Sequence, residues 1–143
     1  MRPVVLDTSV VLPSCLAGGL NFTGRWRWLA PSLLWSEVLS ALHEAVRRGE
    51  LTAEEAAKAR GVFAGLPVLR EDVAEIADEA WRIADELGLA KTYDAEFLAL
   101  ARLRGALLVT ADARLRRGAD RLGFVVDPIE FEARAGSQAS VGG

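Results

Sequence analysis

The run VVLDTSVVL, at residues 4–12, constrains this chain more than any other stretch. Residues 3–7, PVVLD, form a short continuous apolar run rich in β-branched valine, which predicts a strand covered on both faces. Such a strand belongs inside a sheet with helices above and below it. The run nevertheless ends on a carboxylate, Asp7. An isolated ionised carboxylate is costly to bury unless it finds partners or changes its protonation state. The rest of the chain therefore has to supply a reason for Asp7.

Beyond it the sequence alternates between two periodicities. Residues 32–50 read as a helix, with Leu34, Val38, Leu42, Ala45 and Val46 at helical spacing, Pro31 near the start and Gly49 at the end. Residues 52–65 read as a second, opened by Thr52 with Glu55 three positions on, a capping box. The short piece PVLR, 67–70, fits a strand. Val73, Ile76, Ala77, Ala80, Ala84 and Leu87 then line one face of a helix that Gly88 closes. A helix over 92–104, a strand over 106–110, a short helix near 112–122 and a strand over 124–127 complete the pattern. Strands alternating with helices predict an α/β fold, a mainly parallel sheet of four to five strands flanked by helices in three layers.

Composition bounds what such a fold is for. With 143 residues, 51% hydrophobic and 26% charged, the chain suits one globular domain, read here as 1–131, followed by a tail, 132–143, whose small polar end GSQASVGG predicts disorder. A net charge of -3 leaves no overall positive field, so any contact with nucleic acid has to be local. One cysteine, Cys15, and one histidine, His43, exclude an intrachain disulfide framework and the usual zinc spacings. No apolar run approaches the roughly 20 residues of a membrane span, and the N-terminus lacks the order of a signal peptide. The expectation is a cytoplasmic protein without membrane attachment.

Ligands of an open parallel sheet bind beyond the carboxyl ends of its strands. Asp7 ends the first strand, and Asp112 follows the strand ALLVT by two residues. Asp94 falls in the first turn of the helix TYDAEFLALARL, where the helix dipole favours negative charge. Glu37 lies on the border of the apolar stripe of its helix. Helices that return from strand ends start at the same edge, so all four acids are expected at one cleft. Their mutual repulsion there would raise pKa values and oppose folding unless a cation intervened. Oxygen-only donors favour Mg²⁺ or Mn²⁺ over zinc, and the matching chemistry is metal-assisted phosphodiester hydrolysis.

Each acid taken alone also has a structural reading. Asp94 serves equally as a charge at a helix start, Glu37 as a solvated helix residue, and Asp112 as a turn or cap. The segment RWRW, 25–28, alternates cations with aromatics in a way that suits stacked RNA bases or a half-buried edge. Arg114, Arg116 and Arg117 suit either phosphate contacts or a solvated basic face.

The set VVLDTS, SEVLSAL, YDAEFLALA and LVTADARL, in that order and spacing, resembles the PIN-domain ribonucleases, in particular the toxins of VapBC-type toxin–antitoxin pairs. The resemblance runs from about residue 4 to 127. It implies that Asp7, Glu37, Asp94 and Asp112 are the catalytic acids, with Asp7, Asp94 and Asp112 holding Mg²⁺ or Mn²⁺. Ser9 and Thr110 match the family's hydroxyl positions, and Asp120 offers an alternative or supplement to Asp112. With Arg114 and Arg117, Ser9 and Thr110 make up the expected substrate contacts. It further implies endonucleolytic cleavage of RNA, inhibition by a cognate VapB-like antitoxin, and a homodimer, with higher hetero-oligomers formed with the antitoxin. The rival is a PIN-like module that binds RNA or a partner with weak catalysis.

Overall fold

A computed structural model describes residues 1–141, with side-chain surroundings through residue 137. Five strands form one parallel sheet: β1 (Arg2–Leu6), β2 (Trp26–Ala30), β3 (Val68–Arg70), β4 (Leu107–Val109) and β5 (Val125–Val126), in the spatial order β3-β2-β1-β4-β5. Val4 pairs with Trp28 on one side and with Leu107 on the other, so the β-branched run is the central strand. Val4, Val5 and Leu6 are accordingly buried to the last few per cent of their surface.

The chain steps outward from β1 to β3, then crosses back over β1 to β4. Right-handed crossovers put the helices of the two halves on opposite faces. On one face α1 (Thr8–Ala17), α2 (Leu33–Arg47) and α3 (Ala53–Gly65) pack together; on the other, α4 (Ile76–Leu87) packs against α5 (Tyr93–Arg104). A short helix, α6 (Ala113–Gly118), follows β4 and a longer one, α7 (Pro128–Val141), follows β5, with a 3-10 turn at Asp120–Leu122 between α6 and β5. This is the three-layer α/β/α arrangement the alternation predicts. The reversal of direction between β1 and β4 creates a crevice at their carboxyl ends, the place where such sheets take ligands.

Local chemistry explains the elements that position this crevice. Asp7 holds the N-cap of α1 in extended backbone, and its carbonyl accepts the N–H groups of Val10 and Val11 at 3.1 Å each. The sequence pattern leaves α1 unassigned because Val10, Val11 and the interior Pro13 all have low helix propensity. Burial overrides that preference, since Val10, Val11 and Cys15 are core residues. α5 is apolar almost all round, with Ala95 and residues 97–101 buried, as befits a helix enclosed by its neighbours. Its charges are pushed to its ends: Asp94 and Glu96 at the start, Arg102 and Arg104 at the finish, each sign where the dipole favours it. The capping box of α3 forms in both directions, Thr52 accepting from the Glu55 N–H and Glu55 accepting from the Thr52 N–H, at 3.0 Å each.

α7 departs from expectation. Composition predicts a disordered tail over 132–143, whereas the described backbone is helical from Pro128 to Val141; 142 and 143 lie outside the described residues. Phe131 and Ala135, four apart on one face, are buried and anchor the first half of the helix, a periodicity too short to stand out in the sequence. Among the described residues no helix is long and apolar enough to cross a membrane.

Candidate active site

Asp7 stands at the crevice between β1 and β4 with only 6% of its surface exposed. Its partners are hydroxyls. Ser9 Oγ donates to Oδ1 and Thr110 Oγ1 donates to Oδ2, both at 2.5 Å. The same two hydroxyls accept backbone N–H groups of the β4–α6 loop: Ser9 Oγ from Ala111 at 2.8 Å and Thr110 Oγ1 from Asp112 at 3.1 Å. Each hydroxyl has one proton, and Asp7 takes both. The 3.2 Å approach of Ser9 Oγ to Thr110 Oγ1 is therefore a contact between two acceptors sharing one carboxylate. This network joins the ends of β1 and β4 and fixes the direction of the Asp7 carboxyl.

Two hydroxyl donors do not replace bulk water. Burial pushes the Asp7 pKa from its ordinary 3.8 up to about 6, against the lowering by Ser9, Thr110 and the Val10 backbone N–H and with a further rise from the charge of Asp94. Asp94 is itself raised, first by desolvation and then by the charge of Asp112, although part of its surface faces solvent. A chain of repulsion thus runs from Asp7 through Asp94 to Asp112. Acids from the end of β1, the start of α5 and the β4–α6 loop lie near enough to feel one another's charge. Glu37 is held from α2 by Thr8, whose Oγ1 donates to Oε1 at 2.8 Å.

The sequence reading missed two participants. Thr8 orients Glu37, and its only sequence signal is its place beside Asp7. Glu96, two residues after Asp94, is raised by desolvation and then by the charge of Glu37, which places it near Glu37. The pattern YDAEF contains it, but a glutamate in the first turn of a helix reads as ordinary capping charge.

The remaining candidates separate. Asp112 caps α6, accepting from the Arg114 and Leu115 N–H groups at 2.9 and 3.2 Å, so its structural reading also holds. Asp120 is drawn away by Arg116, whose Nη1 donates to it at 2.7 Å. Arg116 also donates twice to Glu130, at 2.8 and 2.9 Å, which makes it a structural cation. Arg117 lines a small pocket with Thr110 and Asp112, while Arg114 stays exposed. The RWRW segment is resolved toward packing: Trp28 is buried, the Trp26 indole N–H donates to the Thr23 carbonyl at 2.8 Å, and both rings cluster with Phe131. Those rings begin at the amino end of β2, at the opposite edge of the sheet from Asp7.

The donor set suits a hard divalent cation. Every candidate ligand is a carboxylate oxygen, none of Asp7, Asp94 and Asp112 has an ion pair among the described residues, and each Asp7 oxygen keeps a lone pair beyond its hydroxyl bond. Among the described residues no three of His, Cys, Asp and Glu already stand close enough to form a cage.

Comparison with known proteins gives the family and the fold. The family described as PIN domain matches residues 4–121. Ribonuclease VapC9 of Mycobacterium tuberculosis is 32% identical over 114 residues, covering 78% of this chain and 87% of that protein. The crystal structure of PAE2754 from Pyrobaculum aerophilum superposes with a TM-score of 0.74 at 25% identity, covering 95% of this chain and 96% of that one. A DNA-bound VapBC structure from Salmonella typhimurium shares the fold, with a TM-score of 0.62 at 20% identity over 89% of this chain and 98% of that one.

Proposed function

The chain belongs to the PIN-domain family, and on that premise we propose that it is a Mg²⁺- or Mn²⁺-dependent endoribonuclease, the toxin of a VapBC-type pair. The observation that carries the reading is Asp7: a buried carboxylate at the crevice of the sheet, joined by repulsion to Asp94 and satisfied by hydroxyls rather than by a cation. Asp7, Asp94 and Asp112 would hold the metal.

A bound divalent cation supplies Lewis-acid stabilisation of the phosphate and a water of lowered pKa. The protein's own groups do the rest. Ser9 and Thr110 keep Asp7 ionised and aimed into the crevice, and Thr8 keeps Glu37 turned toward it as the proton acceptor for the attacking water. Arg117, beside Thr110 and Asp112, is the cation best placed to meet a substrate phosphate. The RNA backbone is expected to lie along the carboxyl edge of the sheet. A VapB-like antitoxin is the expected inhibitor, since the relative with 32% identity is a VapC ribonuclease, and the acidic crevice calls for a basic side chain from such a partner. A homodimer and a cytoplasmic location belong to the same proposal.

One observation favours the rival, a catalytically weak binding module: Asp112 already spends one oxygen on capping α6. Its second oxygen carries no hydrogen bond among the described residues, which leaves it able to hold a metal. The test is to incubate total RNA with the protein in Mn²⁺ or in chelator and to map the new ends. Discrete ends carrying 5′-phosphates, present with Mn²⁺ and absent both with chelator and with Asp7→Asn, are the expected result. Intact RNA in Mn²⁺ would move the protein to the rival class.

A further inference from the structure

Trp81 is the exposed one among the four tryptophans of the chain, with 66% of its surface free on α4. Trp81 presents a large, rigid aromatic face to whatever fills the space beside it. Trp81 borders a pocket of about 450 Å³, with Ile76 and Ala80 of α4 beside it. The other walls come from the elements that carry the acids. Pro31 and Ser32 open α2, the helix of Glu37, while Thr92 and Glu96 flank Asp94 at the start of α5. The pocket therefore adjoins the acidic crevice and shares its helices.

Its chemistry selects a base over a phosphate. The polar groups that reach it are carboxylates and hydroxyls, Asp72, Glu96, Ser32 and Thr92, with the Ser32 hydroxyl donating to one oxygen of Asp72 and no arginine or lysine among the lining residues. Carboxylates only accept hydrogen bonds, so they repel a phosphate and match an exocyclic amino group. An apolar indole wall with acceptors on the far side has the pattern of a flipped or unpaired nucleobase seat.

We propose that this pocket holds one unpaired nucleobase of the RNA, next to the scissile phosphate, stacked on Trp81 with its amino edge toward Asp72 and Glu96. The inference rests on the ribonuclease reading above and adds to it a specificity element: adenine, cytosine or guanine fits the acceptors, and uracil, which lacks an exocyclic amino group, fits worst.

The test is steady-state cleavage of mixed-sequence single-stranded RNA in Mn²⁺ by the full chain, with Trp81→Ala and Trp81→Phe, alongside sedimentation velocity of each. Stacking on an aromatic side chain carries enough of the binding of one base that Trp81→Ala should raise KM about tenfold with kcat nearly unchanged, and Trp81→Phe should restore most of the loss. An abasic scan of a cleaved RNA should find one position beside the cut where removing the base raises KM for the parental protein and not for Trp81→Ala. Parental and Trp81→Ala proteins cleaving with the same KM would overturn the base seat and leave the nuclease intact. A parental protein that leaves RNA whole would overturn both. If Trp81→Ala instead converts a dimer to a monomer and the abasic scan is flat, the tryptophan belongs to a self-interface and the proposal fails.

Discussion

Asp7 and Glu130 are carboxylates just beyond the carboxyl ends of parallel strands, β1 and β5, and the fold treats them in opposite ways. Glu130 receives two hydrogen bonds from Arg116 and the N–H of Asp127, and the guanidinium first of all pulls its pKa down to about 2. Asp7 receives two hydroxyls and a like-charged neighbour, and burial pushes it up to about 6. The first arrangement is complete in itself. The second is electrostatically unfinished, and that difference, more than the presence of an acid, distinguishes a site from a structural ion pair. α4 and α5 repeat the complete kind, with Arg102 shared between Glu79 and Glu86 at 2.7 and 3.1 Å.

The sharpest way to break the comparison is to neutralise each acid in turn and measure RNA cleavage in Mn²⁺. Asp7→Asn should lower kcat by about a hundredfold or more, as loss of a residue acting in a catalytic unit does, and adding Asp94→Asn should cost little further. Glu130→Gln should cleave at the parental rate. Equal losses from the two single variants would erase the distinction between them.

Acidity gives the next largest effect. Asp7 must be ionised to take a cation, so Mn²⁺ affinity measured by calorimetry should fall about tenfold for each pH unit below about 6, a dependence missing from Asp7→Asn. Affinity that stays flat from pH 7 to pH 5 would remove Asp7 from the metal site.

Stability without metal separates the same two residues by sign. The folded pKa of Asp7 is raised from 3.8 to about 6, so the folded chain binds the proton more tightly than the unfolded one. Its contribution favours folding below about pH 4 and is lost as pH rises through about 6, a swing of about 3 kcal/mol at most. Glu130 is depressed, so its contribution is present above its ordinary 4.5 and is lost as pH falls toward about 2. In chelator at pH 7, melting curves should show Asp7→Asn as stable as the parent or more so, and Glu130→Gln less so. Mn²⁺ at 100 times its Kd should then stabilise the parent by about 2.7 kcal/mol and Asp7→Asn far less. An Asn variant clearly weaker than its parent in chelator would return Asp7 to a structural role.

The smallest effect tests Thr8. Thr8→Val keeps the shape and removes the donor to Glu37, and kcat should fall about tenfold with KM and melting temperature nearly unchanged. A parental kcat would mean that Glu37 needs no such restraint.

By itself the sequence determined the strand covered on both faces, the helices with clean periodicity and the edge of the sheet at which ligands are expected. Those conclusions depend on local spacing, on the burial of β-branched runs and on the rule that parallel strands present their carboxyl ends to ligands, all of which act within one element or its nearest neighbours. Tertiary structure alone decided the partners. Nothing in the spacing of Arg116 says that it takes Asp120 and Glu130. Nothing in RWRW says that its indoles join Phe131 while Trp81, an unremarkable helix position, stands open beside the crevice. Thr8 meets Glu37 across 29 residues, and Thr110 meets Asp7 across 103. The first pairing follows from the return through β2 to α2 and the second from the crossover between β3 and β4, and their energies depend on burial and orientation, which a linear pattern does not carry.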